Sequence, residues 1–194
     1  MKLDRRALLL LIIHLALVST IAAKYLYQRN TCPRVWTRAV AYDPEMVLRG
    51  RYLSAQLHID ACSITLPNHT FTPFKGAPVP TDSSHSELYF EENGTFSAQF
   101  GAHITARNGH LAVDRTLPYS APGAQFVQMR GSDNCQNAFL QQPVDFYLPA
   151  NAQSPFPLPK GAELWIEVTV PPKGPPRPIS LAISNNGHWQ PLNY

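Results

Sequence analysis

Arg49-Gly50-Arg51-Tyr52 gathers two guanidiniums and a phenol within four residues, where a segment of alternating apolar and polar side chains begins. A guanidinium presents a rigid fork of N–H donors that matches a carboxylate or phosphate at two points. The glycine lets the backbone take unusual angles or approach a ligand closely. Arg49, Arg51 and Tyr52 are therefore the candidate binding residues, suited to an anion or a carboxylate on a partner. The competing account is a turn leading into a strand edge, with the tyrosine hydroxyl satisfied locally.

Catalytic chemistry finds less to work with. A serine nucleophile needs a base within hydrogen-bond reach, and commonly a pair of backbone donors for the oxyanion. No Gly-x-Ser-x-Gly occurs, and Lys2, Lys24, Lys75, Lys160 and Lys173 all lie outside apolar strand patterns. His58, His69, His85, His103, His110 and His188 are dispersed. His103 and His110 flank Asn108-Gly109 and are expected to face each other across a hairpin, where two imidazoles make an incomplete metal site. Glu91-Glu92 reads as a solvated turn tip. No CxxC or HxxxH spacing for zinc is present. No catalytic residue, metal or cofactor is assigned. Asn68-His69-Thr70 and Asn93-Gly94-Thr95 are formal glycosylation sequons, too short a motif to carry an argument.

The chain has three cysteines, Cys32, Cys62 and Cys135, which allow three pairings. Cys32 follows closely on an apolar run, whereas Cys62 and Cys135 both lie among strand-like segments. In an oxidising compartment a Cys62–Cys135 disulfide is expected, leaving Cys32 over. It would close a loop of about 70 residues, for which lost chain entropy predicts about 4 kcal/mol of stabilisation.

These residues must be positioned by the elements around them, beginning with the N-terminus. Ala7 to Ala23, ALLLLIIHLALVSTIAA, has no formal charge. As a helix it would span about 26 Å at roughly 1.5 Å per residue, close to the ~30 Å hydrocarbon core. Tyr25 and Tyr27 follow, where interfacial aromatics belong. The expected layout is a tail over 1–6, a transmembrane anchor over 7–23, a stalk over 24–38 and a domain over 39–194. A cleaved signal peptide is the alternative, with Thr20-Ile21-Ala22 or Ile21-Ala22-Ala23 as its small-x-small site. Lys2, Arg5 and Arg6 place the tail in the cytoplasm. The remainder is then periplasmic, held at the inner membrane by one pass. Lys24, Arg29 and Arg34 beyond the span weaken that charge asymmetry.

Charged residues make up 15% of the 194 positions, the net charge is +3, and there are 19 prolines. An average soluble domain carries about 25% charged residues. Much of the basic character falls in the first 40 residues, so nothing resembles the clustered basic face of a nucleic-acid binder. No nucleic-acid partner is expected.

Beyond the span the dominant pattern is period two. Leu53, Ala55, Leu57 and Ile59 share one face of a strand. Leu164, Ile166, Val168 and Val170 share another, followed by Pro171, Pro172, Pro175 and Pro176 as an extended connection. Val35–Ala41, Val144–Leu148 and Ile179–Ile183 also read as strands. Asn93-Gly94, Asn108-Gly109 and Asn186-Gly187 are hairpin turns. Leu66–Ser86 and Pro118–Asn134 read as irregular. About eight strands with no amphipathic helix predict a mainly β domain, an antiparallel sandwich or a small barrel.

The segment Leu48-Arg49-Gly50-Arg51-Tyr52-Leu53, after Asp43-Pro44, resembles the name motif of the bacterial GDYXXLXY family. Gly50 and Tyr52 keep the name residues; Arg51 replaces the acid, Ala55 the leucine and Leu57 the last tyrosine. The C-terminal part is similar too: Asp145-Phe146-Tyr147-Leu148-Pro149, Gly161 to Val168, Ile179 to Ile183, and a Gly187-His188-Trp189 ending. About 63–140 is unmatched. The resemblance implies a membrane-anchored protein with no assigned biochemical role and no attributed catalytic residues, of a kind often encoded beside multipass membrane proteins. The expected function is a non-catalytic envelope domain that binds a membrane protein or an envelope component. The alternative is an envelope hydrolase or carbohydrate-binding domain, because Phe, Trp and Tyr at 10% could supply sugar-stacking faces.

Overall fold

The computed structural model describes residues 5–42, 52–64, 87–92, 95–118, 120–130, 134–149, 152 and 155–193. It divides into two compact units, Met1–Cys32 and Pro33–Tyr194.

The first unit is one helix, α1 (Arg5–Thr31), with no buried residue and a mean hydropathy of 2.2 over its most apolar stretch. It is long and apolar enough to cross a membrane. Three of its polar side chains bond to their own backbone: His14 Nδ1 to Leu10 O at 2.9 Å, Thr20 Oγ1 to Ala16 O at 2.7 Å, and Thr31 Oγ1 to Tyr27 O at 2.8 Å. Such bonds satisfy groups that hydrocarbon would leave stranded. The helix runs eight residues past the expected span, so the segment expected as a stalk is helical from Lys24 to Thr31. Pro33 then stops it, because the residue before a proline is pushed out of the helical region. The first strand starts at once, at Arg34.

The second unit is mainly β. Its strands are β1 (Arg34–Ala41), β2 (Tyr52–Ile59), β3 (Glu87–Glu92), β4 (Thr95–Arg107), β5 (His110–Leu117) and β6 (Gln125–Arg130). They continue with β7 (Ala138–Leu140), β8 (Val144–Tyr147), β9 (Ala162–Thr169), β10 (Arg177–Asn185) and β11 (His188–Leu192). The spatial order is β11-β10-β9-β1-β2-β7-β6-β4-β3, with β5 on β4 and β8 on β2. Every ladder among the described residues is antiparallel, apart from an isolated parallel bridge between Asp60 and Ala112. The sheet does not close into a barrel, so the sandwich expectation holds. One buried cluster draws Val35, Leu164 and Ile166 from one end of the sheet together with Phe100, Val113 and Val127 from the other.

Strand β2 is the pivot between those two ends. Tyr52 to Ala55 pair with β8, while His58 and Ile59 pair with β7 along the same edge; β1 lies on the other edge. Leu53, Ala55, Leu57 and Ile59 are all buried, as the alternation predicts. Each such Leu or Ile contributes about 1.5–3 kcal/mol by leaving water. Strand β9 behaves likewise, with Leu164, Ile166 and Val168 inward.

Turn chemistry also matches. Asn108 and Gly109 have φ of 51° and 78°, and Asn186 and Gly187 have 49° and 81°. Positive φ at both central residues gives the hairpin twist that suits β-strands. Asn93-Gly94 lies outside the described residues, although Glu92 and Thr95 on either side are paired. The Leu66–Ser86 stretch lies outside them as well.

Two expectations change. Pro118–Asn134 is not wholly irregular, because Gln125–Arg130 forms β6 between β4 and β7. His103 does not face His110. The two-residue turn sets Arg107 opposite His110, and a bulge at His103/Ile104 sets His103 opposite Arg115.

Candidate functional site

Strand alternation divides the β1–β9 pair into two faces. Val35, Thr37 and Ala39 point inward from β1, which leaves Trp36 and Arg38 outward. From β9, Glu163, Trp165 and Glu167 are outward. The register then sets Trp36 opposite Glu167 and Arg38 opposite Trp165. Next along the sheet, β10 sets Ala182 opposite Trp165, and β11 sets Trp189 opposite Ser184.

All three tryptophans of the chain therefore meet on this outer face. Trp189 lies edge-on to Trp36, with ring centroids 5.0 Å apart, and to Trp165 at 5.5 Å. These separations lie in the favourable range for tilted aromatic pairs. The small Ala182 between Trp165 and Trp189 is fully buried, so the strand that separates the two rings does not hold them apart. Trp189 itself keeps 46% of its surface exposed.

A network fixes the polar groups beside the rings. The Glu163 carboxylate accepts from Arg38 Nη1 at 3.2 Å and from Trp165 Nε1 at 3.3 Å. Arg38 Nη2 also donates to Asn137 Oδ1 at 2.7 Å. Nearby, Ser180 Oγ donates to Glu167 Oε2 at 3.0 Å. The Arg38–Glu163 pair is half-exposed, so it orients groups more than it stabilises the fold.

These side chains open onto a pocket of about 270 Å³, lined by Trp36, Thr37, Arg38, His58, Ile59, Asp60, His110, Leu111, Gln136, Asn137 and Trp165. Its far wall depends on the disulfide. Cys62 and Cys135 are bonded, with Cα atoms 4.9 Å apart. Ala61 N donates to Cys135 O at 2.9 Å, and Cys62 N to Asp60 Oδ1 at 2.8 Å. The crosslink thus ties the end of β2 to the 3-10 turn Cys135–Asn137. Asn134 caps that turn, its side chain accepting from Gln136 N. In this way Asp60, Gln136 and Asn137 are held on one wall. Asp60 is also fastened to β5, donating its N–H to Leu111 O at 2.9 Å and accepting from Val113 N at 2.8 Å.

The lining mixes indole rings with hydroxyl, carboxylate, amide, guanidinium and imidazole groups. Thr37 brings a hydroxyl, and that hydroxyl donates to His58 O at 2.6 Å. Among the described residues no group of three or more His, Cys, Asp or Glu side chains could hold a metal ion. A second charged cluster lies elsewhere: Asp114 approaches His103 Nδ1 at 3.4 Å, Arg107 at 3.4 Å and Arg115 at 3.5 Å. His103 Nε2 lies 3.1 Å from Pro172 O. With two guanidiniums and an imidazole gathered on one carboxylate, this cluster reads as a fastening of the β4–β5 hairpin.

Of the residues singled out from sequence, Arg49 and Arg51 lie outside the described residues. Tyr52 begins β2, is 55% exposed, and meets its cross-strand partner Tyr147 edge-on at 5.8 Å. The Cys62–Cys135 pair forms as expected, and Cys32 remains a half-buried free thiol. The tryptophan cluster was not singled out. Its signal was present, since Trp36 and Trp165 each sit between two inward-facing residues of an alternating strand. Comparisons with known protein families, with curated proteins and with solved structures find no match.

Proposed function

We propose that this chain is a non-catalytic binding module of the cell envelope, anchored in the inner membrane by α1 and presenting its β domain to the periplasm. The observation that carries the reading is the cluster of Trp36, Trp165 and Trp189 beside a polar pocket whose lining pairs no nucleophile with a base. Large aromatics left on a surface are characteristic of contact sites. The apolar helix and the disulfide support the compartment, because disulfides persist where thiols are not kept reduced. The resemblance to the GDYXXLXY family points the same way. The partner is a membrane protein or an envelope component. The low charge gives nucleic acid no footing, and no cofactor is called for.

A photo-crosslinking amino acid at Pro191, on the same face of exposed β11 as Trp189 and opposite Ala182, tests this in intact cells. The expected outcome is a discrete, reproducible adduct that is missing when the probe is moved to Lys160. Adducts equally abundant and diffuse from both positions would sink the reading.

A further inference from the structure

We infer that the pocket beside the tryptophans is a saccharide site, taking a neutral sugar ring; this rests on the binding-module reading above and names the ligand class of that same site. Three features converge. First, the indoles of Trp36 and Trp165 line the pocket, and Trp189 extends their surface outward. An aromatic face is the negative end of the ring quadrupole. The polarised C–H bonds on one side of a pyranose complement it, while the hydroxyls around the ring rim stay free to hydrogen-bond.

Second, the one guanidinium in the lining is committed: Arg38 donates to Asn137 and pairs with Glu163. Asp60 Oδ1 in turn accepts from Cys62 N. A phosphate or carboxylate ligand would need a cation that Arg38 does not spare. What the pocket does offer is donors and acceptors in mixture: Gln136, Asn137, His110 and Asp60. A hydroxyl both donates and accepts, so a polyol can use this mixture where a purely apolar ligand would strand it. Third, at about 270 Å³ the pocket falls just short of the roughly 300–1,000 Å³ of sites for drug-sized molecules. It suits one small ring, with the remainder of a chain lying over Trp189.

The tryptophans make the test direct. The chain contains three, all in this cluster, so intrinsic emission reports on the site alone. The full chain is placed in lipid nanodiscs without sugar-headed detergent. It is titrated with cellotriose, maltotriose and the N-acetylglucosamine trimer to about 10 mM, enough to reveal millimolar dissociation constants. Sodium phosphate serves as the anionic probe. The expected result is a saturable emission change with at least one trisaccharide and none with phosphate. Trp189→Ala and Gln136→Ala alter exposed side chains and leave the core intact. Each is expected to weaken the response about tenfold, whereas Lys173→Ala, outside the lining, leaves it unchanged. No saturable change with any trisaccharide on folded protein, a response to phosphate alone, or undiminished binding by both pocket variants would each overturn the assignment. The Pro191 adduct separates the two failures. If it persists while the trisaccharides fail, the module binds a partner and the saccharide assignment alone is wrong.

Discussion

At the scale of single residues, the outer face is organised by one small side chain and one carboxylate. Ala182 is buried under Trp165 and Trp189, and Glu163 holds both the Trp165 indole and the Arg38 guanidinium. Ala182→Leu should force the two rings apart, at a cost of about 1–3 kcal/mol from overpacking. The measurement is urea unfolding followed by tryptophan emission, with the native spectrum shifting to longer wavelength as the rings become more exposed. Unchanged stability and spectrum would mean that the rings do not close over Ala182. This part of the site was not legible in the sequence. Alternation puts Trp36, Trp165 and Trp189 on outer faces. Their meeting depends on the β1–β9 and β9–β10–β11 registers, which single-strand patterns do not carry. Tyr52 was legible as a surface residue leading a strand, but its partner Tyr147 lies 95 positions away and is supplied by the β2–β8 ladder.

At the scale of elements, period two read β2 and β9 correctly because each has one face in the core and one outside. Strand β6 escaped because Gln125-Phe126-Val127-Gln128-Met129-Arg130 does not alternate cleanly, and its place is fixed by neighbours on both edges. The helical form of Lys24 to Thr31 escaped for a different reason. Lys24, Gln28 and Arg29 mark where apolar character ends, but a helix once formed continues cheaply until something stops it, here Pro33. Strand β4 contains a position that composition alone does not reveal. Its edge passes from β3 to β5 at Gly101, opposite Leu117, where a Cβ would meet the Leu117 carbonyl oxygen at 2.5 Å. Gly101→Ala is therefore expected to lower the melting temperature, at a cost of about 1–3 kcal/mol, since backbone on both sides must move. A wild-type melting curve would show that the approach is not as close as described. For α1, Ile13→Arg combined with Leu15→Arg should release the chain from the membrane on carbonate extraction. Each arginine near the middle of a span costs about 2.5–3.5 kcal/mol of insertion. Retention of the double variant at the native level would argue against a spanning α1.

At the scale of the whole molecule, sandwich and disulfide depend on each other. The bonded cysteines are 73 positions apart, and a loop of that length, closed in the unfolded chain, is worth about 4 kcal/mol. The same bond anchors the turn that carries Gln136 and Asn137 into the pocket, so site and stability share one covalent tie. That tie was legible in the sequence, because Cys32 follows the apolar run while the other two thiols lie among strands. The proposed compartment joins these statements, since disulfides form and persist chiefly in oxidising spaces. Alkylation with a mass-tagged maleimide in acid-quenched cells reads it directly, with and without prior reduction. A domain outside the cytoplasm predicts one reactive thiol before reduction, at Cys32, and three after it. Three reactive thiols in the unreduced native chain would contradict both the compartment and the role built on it.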